Sequence, residues 1–356
     1  MSVFSTLVDC PNLQVYLDEA FGRPGNITDR STFLEYLLSE AGRQGLSFRI
    51  APGNGKIRNV EVLYSQRYLE NEVDTNTANP NCTPGEPYSD RITTYTMDTS
   101  ANFTKSTTFE IGDLERTCRT NPDIFMDMLS KDIDVVERRV ATAMATKAAT
   151  SLIGNWASDT LNQDGTTITN PNLVVATKLA NGNIDPTLYT TIDNAKQTTG
   201  YDAGMVFSNQ LLTRYAKLAE TGCCVTDQGV DLAEQLARFG VVFSWDRRVA
   251  AALAAIGGTP DGLFVAPGSL ALVTYLKSEW SNGVPMVRES ANYLYMPIFG
   301  ATGLPMDLTV KDDCGQITIS VTATPELFGM PDDIFQAGDI YEGVTGVNAI
   351  KITNPS

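Results

Sequence analysis

Histidine is absent from this chain of 356 residues. Without an imidazole, Ser-His-Asp and Cys-His nucleophilic catalysis are excluded, and the commonest metal ligand and proton shuttle of proteins are missing. Carboxylates, lysines and tyrosines are present and could still catalyse a reaction, but no pair of carboxylates stands out as a general acid and base. The composition therefore argues against an enzyme.

Cysteine is scarce, with six residues in the whole chain and no CxxC pair. This pattern indicates neither a zinc ribbon nor a redox motif, and six cysteines are too few for a disulfide scaffold of this length. We expect free thiols made in a reducing cytosol, no metal site and no cofactor. The adjacent pair Cys223 and Cys224 has no role that the sequence assigns.

Long apolar runs are also missing. No stretch of about 18 apolar residues predicts a transmembrane helix, and residues 1–9 lack the features of a signal peptide. The net charge is -16, from 26 basic and 42 acidic residues, which argues against sequence-specific DNA binding and against docking to an anionic membrane. A container for DNA stays possible, because a wall that repels DNA need not bind it.

What the chain does contain is an ordinary globular composition, 42% apolar and 19% charged. The first 45 residues resemble an arm with one helix at 32–43, capped by Asp29 or Ser31 and ended by Gly42 and Gly45. Four of its apolar residues share one helical face, namely Phe33, Leu34, Leu37 and Leu38.

Residues 46–110 change to strand character. The segments 58–64, 91–98 and 104–111 are rich in Thr, Tyr, Val and Ile, which suit a pleated surface. The turn-rich sequence TNTANPNCTPGEPYSD separates the first two. One interpretation is an extended hairpin, and the other is a disordered loop in a small β domain. The hairpin is favoured because the strands are polar on both faces and would need cover from another subunit.

A long helix is predicted at 122–153. Asn121 is a good N-cap, Pro122 suits the first helical position, and no internal Gly or Pro occurs before Gly154. Some 32 residues give a rod roughly 48 Å long at 1.5 Å per residue, whereas helices average about 11 residues. A coiled-coil or bundle helix is the alternative, and the neighbouring β segments argue against it.

The remainder alternates strands and helices, which predicts a mixed α/β body. The predicted strands are 173–176, 205–208, 241–245, 263–266, 306–310, 317–323 and 349–353. The predicted helices are 187–196, 209–220, 231–238 and 269–277, and residues 325–341 are predicted to form a loop.

This order of arm, hairpin, long helix, α/β body and closing strands resembles the major capsid proteins of tailed bacteriophages, with their Hong Kong 97-type fold. The stretches that carry the likeness are residues 48–110, the helix 122–153, TLYTTIDNAKQTTGYDAGMVFSNQLLTRYAKL and DGLFVAPGSLALVTYLK. Together they span roughly residues 30–355. The resemblance implies an α+β fold in which the parts are an N-terminal arm (1–47), an extended loop (48–111), a peripheral domain with the spine helix (112–204 and 306–356) and an axial domain (205–305).

The resemblance also implies a function. Copies would form pentamers and hexamers that close into an icosahedral shell around double-stranded DNA, in a virion assembled in the host cytoplasm. Partners would be the chain itself, portal and scaffolding proteins, and decoration or head-tail connector proteins, with no membrane. A cellular nanocompartment shell of the same fold, another virion structural protein and a carboxylate-based hydrolase are the alternatives.

Interface anchors are often aromatic or arginine side chains. On that basis the expected inter-subunit contacts are Arg58, Tyr64, Arg67, Tyr68, Tyr88, Arg91, Tyr95, Trp245, Arg247 and Arg248. PGNGK at 52–56 is interpreted as a turn, because it lacks the spacing of a phosphate-binding loop. The acids Asp132, Asp134 and Glu137 are interpreted as a solvated or interface helix face, and SWDRR at 244–248 as a surface turn with an inter-subunit ion pair.

Overall fold

The computed structural model describes most of the predicted elements. The described residues are 13–22, 30–39, 47–51, 57–64, 91–110, 121–152, 173–177, 204–209, 240–256, 260–277, 288–290, 293–313, 315–329 and 346–353. Within them the chain mixes helices and strands. No helix in this part of the chain is long and apolar enough to cross a membrane.

The helices and strands have the following bounds. The helices are α1 (Leu13–Phe21), α2 (Thr32–Leu38), α3 (Asn121–Lys147, continued by a π-helical stretch at Ala148–Leu152) and α4 (Arg247–Ala254). The strands are β1 (Ser47–Ala51), β2 (Ile57–Tyr64), β3 (Arg91–Asp98), β4 (Phe103–Glu110), β5 (Leu173–Thr177), β6 (Gly204–Ser208), β7 (Val241–Trp245), β8 (Gly262–Val265), β9 (Leu270–Thr274), β10 (Arg288–Ser290), β11 (Tyr293–Phe299), β12 (Pro305–Asp313), β13 (Gln316–Ala323), β14 (Pro325–Gly329) and β15 (Val347–Thr353).

The described strands form four sheets. The hairpin sheet has the order β1-β2-β3, and the helix-backed sheet has the order β10-β11-β12-β13-β4. A mixed sheet runs β5-β15-β8-β6-β7, with parallel pairs at β5-β15 and β6-β7. Strands β9 and β14 form a separate antiparallel ribbon.

The long helix is confirmed as α3. Its 27 α-helical residues correspond to a rod of about 40 Å. Buried side chains recur at three- and four-residue spacing, including Phe125, Leu129, Ile133, Val136 and Val140. This stripe packs on the inner faces of β4 and β13 and against α1, α2 and α4, so α3 lies in the centre of the main hydrophobic core.

The predicted hairpin is confirmed where the structure describes it. Strands β2 and β3 pair antiparallel from Ile57 opposite Asp98 to Tyr64 opposite Arg91, and the connecting residues 65–90 lie outside the described residues. The third strand of this region, β4, does not extend the hairpin sheet. It pairs over its whole length with β13, because Phe109 and its alternate neighbours face α3.

One predicted helix is a strand. Residues 269–277 were expected to be helical, but 270–274 form β9 and pair with β14. Gly268 turns the chain with φ 76°, and the Ser269 hydroxyl donates back to the carbonyl oxygen of Ala266 at 2.7 Å instead of capping a helix. A short apolar run is compatible with either a buried helix or a buried strand. Here pairing with β14 makes it a strand. Residues 325–329, expected in a loop, are that partner.

The helix predicted at 32–43 is shorter than expected. Ser31 caps α2 and accepts a hydrogen bond from the Leu34 N–H, which confirms one of the two predicted caps. The helix ends at Leu38 because Ser39 adopts an extended backbone, with ψ 157°. The helices predicted at 187–196 and 231–238, and all but the first residue of 209–220, lie outside the described residues.

Asp246 joins two helices through one buried carboxylate. Its Oδ1 accepts from the Arg248 N–H at 2.8 Å, which caps α4. Its Oδ2 accepts from the Ser31 hydroxyl at 2.5 Å and from the Phe33 N–H at 3.2 Å, at the start of α2. A negative charge is favourable at both helix N-termini. Within the segment predicted to be a surface turn, Asp246 is therefore a buried junction between two helices, whereas Trp245 and Arg247 are exposed.

We expect Asp246→Ala to lower the free energy of unfolding by about 2–4 kcal/mol, because it removes a cap and charge-assisted hydrogen bonds. Asp246→Asn should lower it by less, because the asparagine oxygen still caps α4. Some loss remains, because the asparagine amide nitrogen cannot accept a hydrogen bond from the Ser31 hydroxyl. Urea unfolding of the purified protein measures both. Equal losses for the two variants would contradict the capping role at α4.

Candidate assembly surface

The hairpin sheet has two faces of opposite character, set by the alternation of side chains along each strand. On the inner face, Val60, Val62 and Met97 are buried against Val273 of β9 and Phe328 of β14. The inner face of the hairpin sheet is therefore packed against β9 and β14 of the same chain. The prediction that both faces are polar and uncovered within the chain is wrong for this face.

Three of the predicted contact residues serve this inner packing. The Arg58 guanidinium lies over the Tyr275 ring, 5.4 Å from its centroid. Tyr95 stacks on Phe328 with ring centroids 5.1 Å apart, and Tyr64 accepts a hydrogen bond from the Thr93 hydroxyl at 3.1 Å. These contacts are within the chain, and a contact with another subunit stays a prediction for all three.

The outer face carries aliphatic side chains that the sequence analysis did not select. Leu63 and Ile92 lie directly opposite each other on β2 and β3, and they are 38% and 61% exposed. Beside them Arg49 lies 3.9 Å from Glu61, an exposed ion pair that contributes little. Leu63 alternates with the buried Val60 and Val62, and this alternation indicates that Leu63 faces outward. It was not selected because only aromatic and arginine side chains were considered as anchors.

The other predicted contact residues are scattered. Arg67, Tyr68 and Tyr88 lie outside the described residues, as does the side chain of Arg91. Trp245 is partly exposed at the end of β7, Arg247 is exposed, and Arg248 is buried. The described members of this set differ in exposure and in the sheets to which they belong, and the role of all ten between subunits stays a prediction.

Two acids of α3 are buried where it meets the helix-backed sheet of the same chain, so the interpretation of a solvated or interface helix face is wrong for them. Asp132 is 3% exposed, and its Oδ1 accepts from the Thr107 hydroxyl at 2.8 Å, while its Oδ2 has no hydrogen-bond partner. Burial raises the pKa of Asp132, against smaller lowering effects of the Thr107 hydrogen bond and the Lys105 charge. Asp134 instead pairs on the outside with Arg138 at 2.9 Å.

Glu137 holds the turn between β11 and β12. Its Oε1 accepts from the Thr302 N–H at 2.9 Å and from the Thr302 hydroxyl at 2.6 Å. Burial raises the pKa of Glu137, and the hydrogen bonds from Thr302 partly offset that rise. Among the described residues, no group of three or more Cys, Asp or Glu side chains could hold a metal ion.

The comparisons with known proteins give structural matches only. The chain is similar to the mature capsid of bacteriophage PhiM1 (12% identity, 84% of this chain and 83% of that chain, TM-score 0.41). It is also similar to the capsid of cyanophage P-SCSP1u (10% identity, 94% and 98%, TM-score 0.41) and to the procapsid of satellite phage P4 that includes the size determination protein Sid (10% identity, 98% and 92%, TM-score 0.37). No family model matches the sequence, and no curated protein matches it. The function proposed below rests on the residues of this chain.

Asp132 should make the subunit less stable as pH rises. Its folded-state pKa lies above its unfolded value, so its stability contribution is complete below the unfolded pKa, near 3.8, and is lost as pH rises through the folded pKa. We expect Asp132→Asn to be more stable than the wild type at pH 7 and to flatten the dependence above pH about 4. An unchanged slope in Asp132→Asn would refute the effect.

Gly300 leaves no room for a side chain. A Cβ there would collide with Glu137 Oε1 and lie 2.7 Å from Met306 Cε. We expect Gly300→Ala to cost about 1–3 kcal/mol by overpacking. Gly303 is the matched control in the same turn, because its φ is 83° but nothing lies within 4 Å, so Gly303→Ala carries only the backbone cost of about 1 kcal/mol. Thermal unfolding of both variants should rank Gly300→Ala lower.

Proposed function

We propose that this chain is the major capsid protein of a tailed bacteriophage, with a Hong Kong 97-like α+β architecture. Copies assemble as pentamers and hexamers into a closed icosahedral shell that encloses double-stranded DNA. The observation that supports the proposal is the difference between the two faces of the hairpin sheet. One face packs against its own subunit, and the other presents the exposed aliphatic pair Leu63 and Ile92.

The two faces have separate roles in this proposal. The inner packing of Val60, Val62 and Met97 fixes the direction in which the hairpin leaves the body. Leu63 and Ile92 then lie at the end of the paired strands nearest the connecting residues 65–90. Exposed aliphatic neighbours on a strand pair are a surface that another protein can cover, and we assign that cover to a neighbouring subunit.

The charge of the chain suits a container. With 42 acidic against 26 basic residues, the shell wall repels the packaged DNA and encloses it without sequence-specific binding. Shell strength then comes from many modest contacts repeated around closed symmetry, and the chain's role is structural and not enzymatic.

The proposal extends to the organisation and partners of the chain. Residues 1–47 form the N-terminal arm, 48–111 the extended loop, 112–204 with 306–356 the peripheral domain, and 205–305 the axial domain. Portal, scaffolding, decoration and head-tail connector proteins are the proposed partners in a virion assembled in the host cytoplasm.

The proposal is tested by electron microscopy of the purified protein, alone and with the products of neighbouring genes. We expect the wild type to form closed shells or capsomer rings. Ile92→Asp should abolish them, because it places a charge in a surface that becomes desolvated on assembly. The subunit itself should remain folded, since Ile92 is exposed.

Ile92→Val is the matched control, because it keeps a β-branched apolar side chain at the same place. It should assemble like the wild type, and circular dichroism should show all three subunits equally folded. Shells of wild-type yield from Ile92→Asp would exclude this face from assembly. A wild-type protein that stays monomeric with every neighbouring gene product would refute the capsid function.

A further inference from the structure

Among the described strands, β4 has a partner along only one of its edges. All eight of its residues pair with β13, from Phe103 opposite Ala323 to Glu110 opposite Gln316. Among the described strands none pairs with the other edge, where β4 ends the helix-backed sheet. Alternate residues of a strand direct their backbone N–H and C=O to opposite edges, so about half of the backbone groups of β4 face this free edge.

Proteins usually blunt an edge strand with proline, a bulge, a short length or charged side chains. Strand β4 contains no proline or glycine, and its register with β13 runs without interruption. The opposite end of the same sheet shows the contrast, since β10 has only three residues. Lys105 is the one lysine of β4, and it points to the helix side, where its charge acts on Asp132.

The solvent face beside this edge is small and neutral. Three hydroxyl pairs join β4 to β13 there, at 3.0 Å for Thr104 and Thr322, 2.7 Å for Ser106 and Ser320, and 3.1 Å for Thr108 and Thr318. These side chains hydrogen-bond to one another and add no charge along the edge. An incoming strand would therefore meet neither bulk nor like charge until Glu110.

We propose that the free edge of β4 pairs with a strand of a second copy of this chain, so that the helix-backed sheet continues from one subunit into the next. The partner is inferred from position: only residues 99–102 separate β4 from the hairpin strand β3. The edge thus adjoins the surface already assigned to inter-subunit contact, and the inference rests on the proposed function. Main-chain hydrogen bonds supply such strand addition with affinity.

Amide hydrogen exchange of the wild type tests the pairing, compared between unassembled subunits and assembled shells at single-residue resolution. In the subunit, β4 amides should alternate between slow exchange, for those bonded to β13, and fast exchange, for those at the free edge. On assembly the fast set should slow by at least about tenfold. Equally fast exchange in shells would overturn the proposal while leaving the capsid function intact. A wild-type protein that forms no shells would refute both the strand pairing and the capsid function.

A pair of proline variants gives a second test. Ser106 and Lys105 are successive residues, so their amides point to opposite edges of β4. In one of the variants Ser106→Pro and Lys105→Pro, the N–H that is removed faces β13. That variant should lose a hydrogen bond to β13 and lower the free energy of unfolding. The other should keep subunit stability near wild type and lower shell yield by about tenfold or more, because proline offers no N–H to a new strand. Wild-type yield from that stable variant would contradict the pairing.

Discussion

The burial of the apolar stripe of α3 on β4 and β13 is the contact on which the rest of the fold depends. A helix of 27 residues gains most of its stability from packing and little from propensity. Among the described elements, β4 makes its main contacts with β13 and α3. Because β3 leads into β4 through residues 99–102, this one contact also positions the hairpin. The packing of Val62 and Met97 on Val273 then fixes the hairpin at a second point.

The same contact contains two buried carboxylates, Asp132 and Glu137. Glu137 offsets its burial by holding the β11–β12 turn through Thr302, and the absence of a side chain at Gly300 makes that possible. Asp132 is only partly satisfied, since one oxygen has no partner. A buried, half-satisfied carboxylate weakens a helix–sheet contact, so the central packing is less stable than its apolar stripe alone would make it.

Sequence patterns predicted the elements whose signals are long. The start of α3 and the two hairpin strands follow from capping, periodicity and alternation, and they are confirmed. Residues 270–274 were mispredicted because a run of consecutive apolar residues fits a buried strand or helix equally. The short helix α4 was missed because Asp246, its cap, also resembles a surface charge. The partner of β4 lies more than 200 residues away in β13, and local sequence carries no information on such pairing.

The candidate surface was harder to predict than the fold, for a physical reason. Arg58 and Tyr95 have the composition of interface anchors, yet the same amphipathic side chains also suit the margin of a core, where the structure places them. Leu63 and Ile92 are residue types that are typical of a hydrophobic core, yet they lie on the exposed face of the hairpin sheet. Copies that each carry a net charge of -16 repel one another. If such copies meet, as the proposed function requires, their contacts are best made through aliphatic pairs, neutral hydroxyl faces and backbone edges, because these add no further like charge.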